Sequence, residues 1–583
     1  MGSRGSSARR ALAVGMTTAL LGGLLNAVSL PAQAQQMLPC DFMSQGEYSG
    51  EYAKVSEKGP YEIAPQQIAE LPSDLDGATI QMGIVRPKVP AGTRVPVIVA
   101  ASPYYHPLQT MDLRACKPFL TENFVPHGYA VVFLAVRGTA DSGGCMNLMG
   151  PEERADLDQA VTWLGTRAWS NGSVGMVGKS YDGATQWEAA ASGNPHLKTI
   201  VPLSGVPDLF ELMYGNGTVD WRSPGILNGI YYSESAAFYA PGRSPEHTVE
   251  VTACPEYAVG MGASAYSAAT AELDPFGYYA ARRYRDAVVK KYRGSIYLVQ
   301  GLQDWNVNPG QQFPWIWELE ERGVYVKYLL GQWGHSWPYD DGSRMDWGDV
   351  LLAWFDRWLK GDREAALGPR VEVEDAQGNW RSSSDWRAGR RLELFLDPDH
   401  SLARKASGKK TSERIFADPF HMQGGYTQDM PSEHQGCPSS MCALFETPRF
   451  DSDFRLAGLP HVSLSVRPQG PGGQVSVYIY AVGDGAERLG WGQLDLRFQN
   501  GSDEAQVVEP GKMIQIGFDV QPLDVVVPKG ARLQVVVSGG TGWNRLPSVQ
   551  NYPIDLLLGA GRSSIELTSP AVQRNDFFEP PSR

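Results

Sequence analysis

Histidine is scarce in this chain, nine residues in 583, so an imidazole base has few positions to come from. Cysteine is sparse too: six residues, at 40, 116, 145, 254, 437 and 442. No second Cys/His pair stands at ligand spacing beside Cys437 and Cys442, which sets a zinc site aside. Excess positive charge is missing: 51 Lys and Arg against 64 Asp and Glu give a formal charge of −13. That excludes a duplex nucleic acid as partner, because phosphate binding needs a basic surface. Internal repeats and low-complexity tracts are absent beyond the N-terminal leader, so no repeat architecture is indicated.

That leader, "MGSRGSSARRALAVGMTTALLGGLLNAVSLPAQA", has arginines at 4, 9 and 10, then an apolar run from Ala11, then the small-residue site Ala32-Gln33-Ala34. It reads as a signal peptide over residues 1–34 rather than a membrane anchor, since Thr, Asn and Ser interrupt the run and a cleavage site closes it. Arg9-Arg10 hints at a twin-arginine route. Its removal takes away three arginines and no acids, moving the formal charge from −13 to −16. Such acidity suits a soluble exported protein, extracellular or periplasmic and free of the membrane, and attracts cationic substrates. An even cysteine count in an exported chain permits up to three disulfides; Cys437–Cys442 in "CPSSMC" is the best local pair.

From about residue 79, near-continuous apolar runs such as "RVPVIVAASPYY", "YAVVFLAVRG", "VGMVGKS", "TIVPLSG", "SIYLVQGLQD" and "VYVKYLLGQWGH" alternate with helical segments. Runs of that kind fit central strands covered on both faces. In "PEERADLDQAVTWLGTRAW", Leu157, Ala160, Val161 and Leu164 recur at i, i+3, i+4 and i+7 and make one helix face. The pattern is a doubly wound α/β sheet over 35–205 and 295–390. The alternation lapses over 206–294, a Tyr-, Ala- and Gly-rich stretch that reads as a helical cap. "MDWGDVLLAWFDRWLKGD" reads as an amphipathic helix closing the α/β part. Over 391–583 short alternating strands ("HVSLSVRP", "QVSVYIYAV", "KMIQIGFDV", "ARLQVVVSG") separated by Gly, Pro and Asp turns predict a jelly-roll β-sandwich.

"VGMVGKSYDG", residues 174–183, ends a β run in a G-x-S-x-G turn and passes into the helical "ATQWEAAASG". This is the pattern of a nucleophile elbow, with Ser180 at its tip. A serine hydroxyl needs a histidine to accept its proton and a carboxylate to hold that histidine. In α/β-hydrolases these follow in the order Ser, Asp/Glu, His, each after a strand. "SIYLVQGLQD" delivers Asp304 and "VYVKYLLGQWGH" delivers His335. Of the other histidines, 106, 127, 196 and 247 precede the acid, and 400, 421, 434 and 461 fall in the sandwich. Asp340 and Asp341 are alternatives to Asp304. The backbone N–H of Tyr181 is one oxyanion donor, and a hydroxyl from "ASPYYHP", Tyr104 or Tyr105, supplies a second.

Together, "GKSYDG", "GLQDWNVNPG", "WGHSW" and "RGTADSGG" resemble the X-prolyl dipeptidyl-peptidase family and its relatives, the cocaine-esterase-like and α-amino-acid ester hydrolases. The resemblance spans nearly the whole mature chain. It implies an α/β-hydrolase domain with helical cap and C-terminal jelly roll. It also implies Ser180 as nucleophile, Asp304 as orienting acid, His335 as general base and acid, and Tyr104 with the Tyr181 amide as oxyanion hole. The expected activity is release of N-terminal Xaa-Pro dipeptides. A cocaine-esterase-type esterase or acylase acting on small esters is the alternative, and a glycan-binding role for the sandwich, through Trp491 and Trp543, a second. Trp305, Asn306 and Val307 follow Asp304 where amino-acid ester hydrolases place further carboxylates, which argues against that branch. A peptidase of this kind needs a carboxylate for the substrate ammonium; the cap offers Asp208, Glu211, Asp220 and Glu234. The chemistry calls for no metal and no organic cofactor.

Overall fold

The computed structural model describes residues 52–583 apart from 106–107, 110, 224–253, 341, 387, 417–441, 502, 540–544, 546–551, 571–576 and 579–583. Residues 1–34 therefore lie outside the described residues, as do Cys40, Cys437, Glu234, Asp341 and Trp543.

The first sheet has eleven strands: β1 (Gln67–Pro72), β2 (Thr79–Val85), β3 (Val95–Ser102), β4 (Ala130–Ala135), β5 (Ser170–Lys179), β6 (Leu197–Leu203), β7 (Ser295–Gly301), β8 (Val326–Gly331), β9 (Val371–Glu374), β10 (Trp380–Ser383) and β23 (Phe577–Phe578). They lie in the order β1-β2-β4-β3-β5-β6-β7-β8-β9-β10-β23. Strands β3 to β9 pair in parallel, while β1, β2, β10 and β23 run antiparallel at the flanks. Successive side chains of a strand point to opposite faces. In β3, Val97, Val99 and Ala101 join one core with Leu157, Trp187 and Ile316, while Ile98 and Ala100 join the other with Phe119, Trp347 and Trp354. That double covering is why the strands read as unbroken apolar runs.

The helix predicted from 3.6-residue spacing is α1 (Pro151–Gly165), and Leu157, Ala160, Val161 and Leu164 are on its buried face. It starts with Pro151 in the first turn, where a missing N–H costs nothing, and with Glu152 and Glu153 near the positive helix end. Helix α2 (Tyr181–Ser192) follows β5 and ends at Gly193 in the left-handed conformation. The described parts of 206–294 contain α3 (Leu209–Tyr214), α4 (Pro255–Thr270) and α5 (Arg285–Lys291). Helices α6 (Phe313–Glu321) and α7 (Trp347–Phe355) complete the layers. The sheet continues past α7: the short strands β9 "VEVE", half polar, and β10 "WRSS", three-quarters polar, extend it.

The second unit is all antiparallel: β11 (Arg390–Leu396), β12 (Leu402–Ala403), β13 (Thr411–Ile415), β14 (Cys442–Glu446), β15 (Phe454–Pro468), β16 (Gln474–Val482), β17 (Ala486–Asp495), β18 (Ile514–Asp519), β19 (Leu523–Val527), β20 (Arg532–Gly539), β21 (Ile554–Leu558) and β22 (Ser564–Ser569). One sheet gathers around β15 and the other runs β14-β20-β16-β17. Their inner faces share one core that includes Leu464, Val477, Ile516, Val535 and Leu556, as in a sandwich of two sheets. The sandwich meets the cap base closely. Asn216 Nδ2 donates to the Gln493 carbonyl (3.1 Å) and Arg545 Nη1 to the Thr218 carbonyl (2.9 Å). A Cβ on Gly217, whose φ is +69°, would lie 2.0 Å from the Phe498 ring.

One disulfide, Cys145–Cys254, ties the loop before α1 to the start of α4. Cys116 and Cys442 are disulfide-bonded as well. The expected Cys437–Cys442 pair involves a residue outside the described ones.

Candidate active site

β5 ends at Lys179 and α2 begins at Tyr181, so the chain turns within Ser180 itself. Ser180 has φ 63° and ψ −119°, a conformation costly for any residue with a side chain and kept only where the surroundings impose it. Here they do. The Ser180 N–H donates to the Leu203 carbonyl at the end of β6 (2.9 Å), and its carbonyl accepts the N–H groups of Gly183 (3.0 Å) and Ala184 (2.9 Å). The flanking glycines are required by space: a Cβ on Gly178 would sit 2.5 Å from the Asp182 Cβ, and one on Gly183 2.6 Å from the Cα of Gly205. Gly205, just beyond β6, is the third member of this contact, and its place in "LSG" gave no warning of it in the sequence.

Asp304 leaves β7 and is fully buried; His335 leaves β8 and is partly exposed. Asp304 Oδ2 lies 2.9 Å from His335 Nδ1, and Oδ1 accepts the N–H groups of Asn306 (2.8 Å) and Val307 (2.9 Å). Burial pushes the Asp304 carboxyl up. The His335 ring and the Val307 N–H pull it down further, leaving it below the usual aspartate value and ionised. Asp340, the described alternative, instead accepts the Trp337 N–H at 2.8 Å. Lys179 Nζ donates to the His335 carbonyl (3.3 Å), linking the elbow to the histidine loop.

The two tyrosines of "SPYY" part company. Tyr105 is buried against Phe133 and donates its hydroxyl to the Ala100 carbonyl (3.1 Å). Tyr104 is partly exposed, and its ring meets that of Tyr181 edge to face with centroids 6.2 Å apart. Tyr181 itself is held from behind: its hydroxyl donates to Glu153 Oε2 (2.9 Å) and accepts the Met149 N–H (2.8 Å). The sequence reading missed Glu153, which sits on α1 as an ordinary-looking first-turn acid.

A cavity of about 410 Å³ opens between the cap base, the loop after Asp304 and the sandwich, lined in part by Asp208, Glu211, Gln311, Trp315 and Trp491. Asp208 caps α3 through the Glu211 N–H and pairs with Arg283 (2.9 Å). Asp220 is buried and holds Arg222 (2.9 Å), which in turn donates to the Asn306 carbonyl (3.0 Å). Glu211 makes no ion pair among the described residues; burial, then the nearby Asp208 carboxylate, pushes its pKa up to about 7. Trp491 is 7% exposed and packs with Tyr478, Tyr480 and Val536, the environment of a packing residue rather than an open sugar platform.

A family model described as "X-Pro dipeptidyl-peptidase (S15 family)" matches residues 76–337, and one for the "X-Pro dipeptidyl-peptidase C-terminal non-catalytic domain" matches 364–555. A Bacillus anthracis relative provisionally named Xaa-Pro dipeptidyl-peptidase is 25% identical over 508 residues, 80% of this chain and 81% of its own. The Xaa-Pro dipeptidyl-peptidase of Lacticaseibacillus paracasei is 23% identical over 610 residues, 84% of this chain and 74% of its own. The crystal structure of an aminopeptidase from a marine sediment Thaumarchaeota archaeon shares the fold, with a TM-score of 0.68 at 18% identity over 87% of this chain and 96% of that one. With an elbow serine, a strand-end Asp–His pair and a sandwich all in the expected order, the chain belongs to the X-Pro dipeptidyl-peptidase (S15) family of serine hydrolases.

Proposed function

We propose that this chain is an exported serine peptidase that releases Xaa-Pro dipeptides from peptides with a free N-terminus. The observation that carries the reading is the Asp304–His335 pair, 2.9 Å apart, on the strand ends beside the elbow that presents Ser180. His335 takes the Ser180 hydroxyl proton as the oxygen attacks the carbonyl of the Xaa-Pro unit. The negative oxygen of the tetrahedral intermediate accepts hydrogen bonds from the Tyr181 N–H and the Tyr104 hydroxyl. His335 then protonates the leaving amine, the acyl-enzyme forms, and a water activated by the same imidazole releases the dipeptide.

For the substrate ammonium, Glu211 has the strongest support. Asp208 and Asp220 already hold arginines in close ion pairs, whereas Glu211 is a partly buried carboxyl with no such contact among the described residues, Arg545 and Arg283 acting on it from farther off, on the wall of a cavity beside the Asp304 loop. An ammonium there restores the charge balance that burial denies it. Family membership supports the Xaa-Pro substrate, and the leader sequence at 1–34 supports export.

Hydrolysis of Ala-Pro-p-nitroanilide beside its N-acetylated form and p-nitrophenyl butyrate, with Ser180→Ala as control, tests the reading. Preference for the free-amine amide is the expected result. Cleavage of the butyrate ester alone moves the chain to the esterase branch with the same triad.

A further inference from the structure

Behind the elbow, two buried acids face one another. Glu153 on α1 is 1% exposed and Glu188 on α2 is 0% exposed. Their carboxyls lie within interaction range of each other. Among the described residues, neither oxygen of Glu188 nor Oε1 of Glu153 meets an N–H or O–H donor. The fourth oxygen, Glu153 Oε2, accepts the Tyr181 hydroxyl (2.9 Å) and the Met149 N–H (3.3 Å).

The surrounding cations, Arg282 and Arg154, favour the ionised acids only from a distance, their close contacts being with other groups. Arg282 donates to the carbonyls of Leu148 (2.9 Å), Asn147 (2.6 Å) and Tyr278 (2.6 Å). Arg154 lies over the Tyr284 ring, and Tyr284 donates to the Met149 carbonyl. Asp156, the next acid along α1, is held by Arg137 (2.7 Å) and Ser73 (2.5 Å). Two ionised carboxylates cannot sit face to face in an apolar interior; one proton between them turns repulsion into a hydrogen bond.

We propose that Glu153 and Glu188 share a single proton and that this acid pair is a positioning device. It fixes Tyr181, and through Tyr181 the backbone N–H that receives the oxyanion. The inference rests on the assignment of Ser180 and Tyr181 above. In the shared-proton state Glu188 donates to Glu153, and Glu153 is left to accept from Tyr181 and Met149. The loop it braces has little slack: Leu148 and Met149 are both non-glycine residues at positive φ, 45° and 59°. Burial is the main cause of the shifts on both acids. It pushes Glu153 up to about 7 and Glu188 well above its ordinary value, so the singly protonated pair forms as the pH rises past about 7. At higher pH the remaining proton leaves, the carboxylates repel, and the oxyanion N–H is displaced.

The test follows kcat on p-nitrophenyl butyrate from about pH 6 to about pH 10, with Ser180→Ala rates subtracted as the blank. An ester without an amine keeps substrate titration out of the profile. The wild type is expected to lose kcat at the alkaline end. Glu188→Ala, which removes the donor, lowers kcat at every pH by about 10- to 100-fold, and Glu188→Gln, whose amide donates permanently, restores it and abolishes the alkaline fall. An infrared band of a protonated carboxylic acid at about pH 8, missing from Glu188→Gln, reports the shared proton without reference to activity. An alkaline fall that persists in Glu188→Gln, or no such difference in the infrared band, overturns the pair. If Ser180→Ala is inactive in the same assays, that failure leaves the nucleophile assignment standing; if Ser180→Ala is active, it is the reading of the elbow that falls, and the oxyanion role of the pair with it.

Discussion

Asp304 turns one carboxylate oxygen to His335 Nδ1, 2.9 Å away, and the other to the backbone of its own loop. The loop thus aims the carboxylate, and the carboxylate aims the ring. Asp304→Asn is expected to lower kcat by about 10⁴-fold, because an amide N–H facing Nδ1 stabilises the wrong tautomer. Steady-state kinetics of a variant whose melting curve matches the wild type checks this; a loss under about tenfold removes Asp304 from the triad.

The same carboxyl sets an acid limit. Its pKa is lowered in the folded state, so its contribution to stability is fully present above the unfolded-state value and is lost as pH falls through the folded one. Unfolding followed by tryptophan fluorescence below about pH 4 is expected to shift toward neutral pH in His335→Ala, which removes the partner that lowers it.

Gly183→Ala places a methyl 2.6 Å from the Gly205 Cα, a backbone atom that cannot step aside. Overpacking of this kind costs about 1–3 kcal/mol and tilts α2 against β6. A lower Tm together with a reduced kcat is expected; a variant with wild-type values for both contradicts the tight elbow.

Glu211→Gln is expected to raise KM for Ala-Pro-p-nitroanilide by about tenfold or more while leaving p-nitrophenyl butyrate unchanged. The wild-type pH profile carries the sign. Glu211 ionises as pH rises through about 7, so affinity for the ammonium form improves there, and it declines again once the substrate amine loses its proton near about pH 8. Equal KM values for free and acetylated substrates place the ammonium site elsewhere.

Cys145–Cys254 closes 109 residues of chain. Replacing both with serine is expected to lower stability by about 5 kcal/mol on loop-closure grounds, and to loosen the loop that carries Met149. Melting of the double-serine variant beside the wild type, both without reductant so that the bonds of Cys116 and Cys442 stay intact, measures it.

Much of this architecture was legible because it is periodic. The α1 face at Leu157, Ala160, Val161 and Leu164 and the apolar run of β3 leave signatures that need no partner to be read. The turn at Ser180 and the Asp304–His335 contact were legible through their order after strands, and His335 besides because histidine is rare. What escaped depends on contacts between distant segments. β9 and β10 are four residues each and at least half polar, too short to show a period. Glu153 and Glu188 look like surface acids, and only the packing of α1 on α2 buries them. The Cys145–Cys254 pair joins the α/β part to the cap, and nothing in the spacing of six cysteines selects it. The different surroundings of Tyr104 and Tyr105 needed the structure as well, since adjacent tyrosines in "SPYY" do not show that the Tyr105 hydroxyl is held by the Ala100 carbonyl.

The seat of Phe498 against Gly217 reaches into the history of the chain. A ring that leaves no space for a methyl cannot be met halfway by small changes on either side. A sandwich borrowed from another protein would arrive with its own side chain there and pry the cap base away from the sheet. Recombination between relatives is therefore expected to carry both halves over together, the cap base with the sandwich that seats against it.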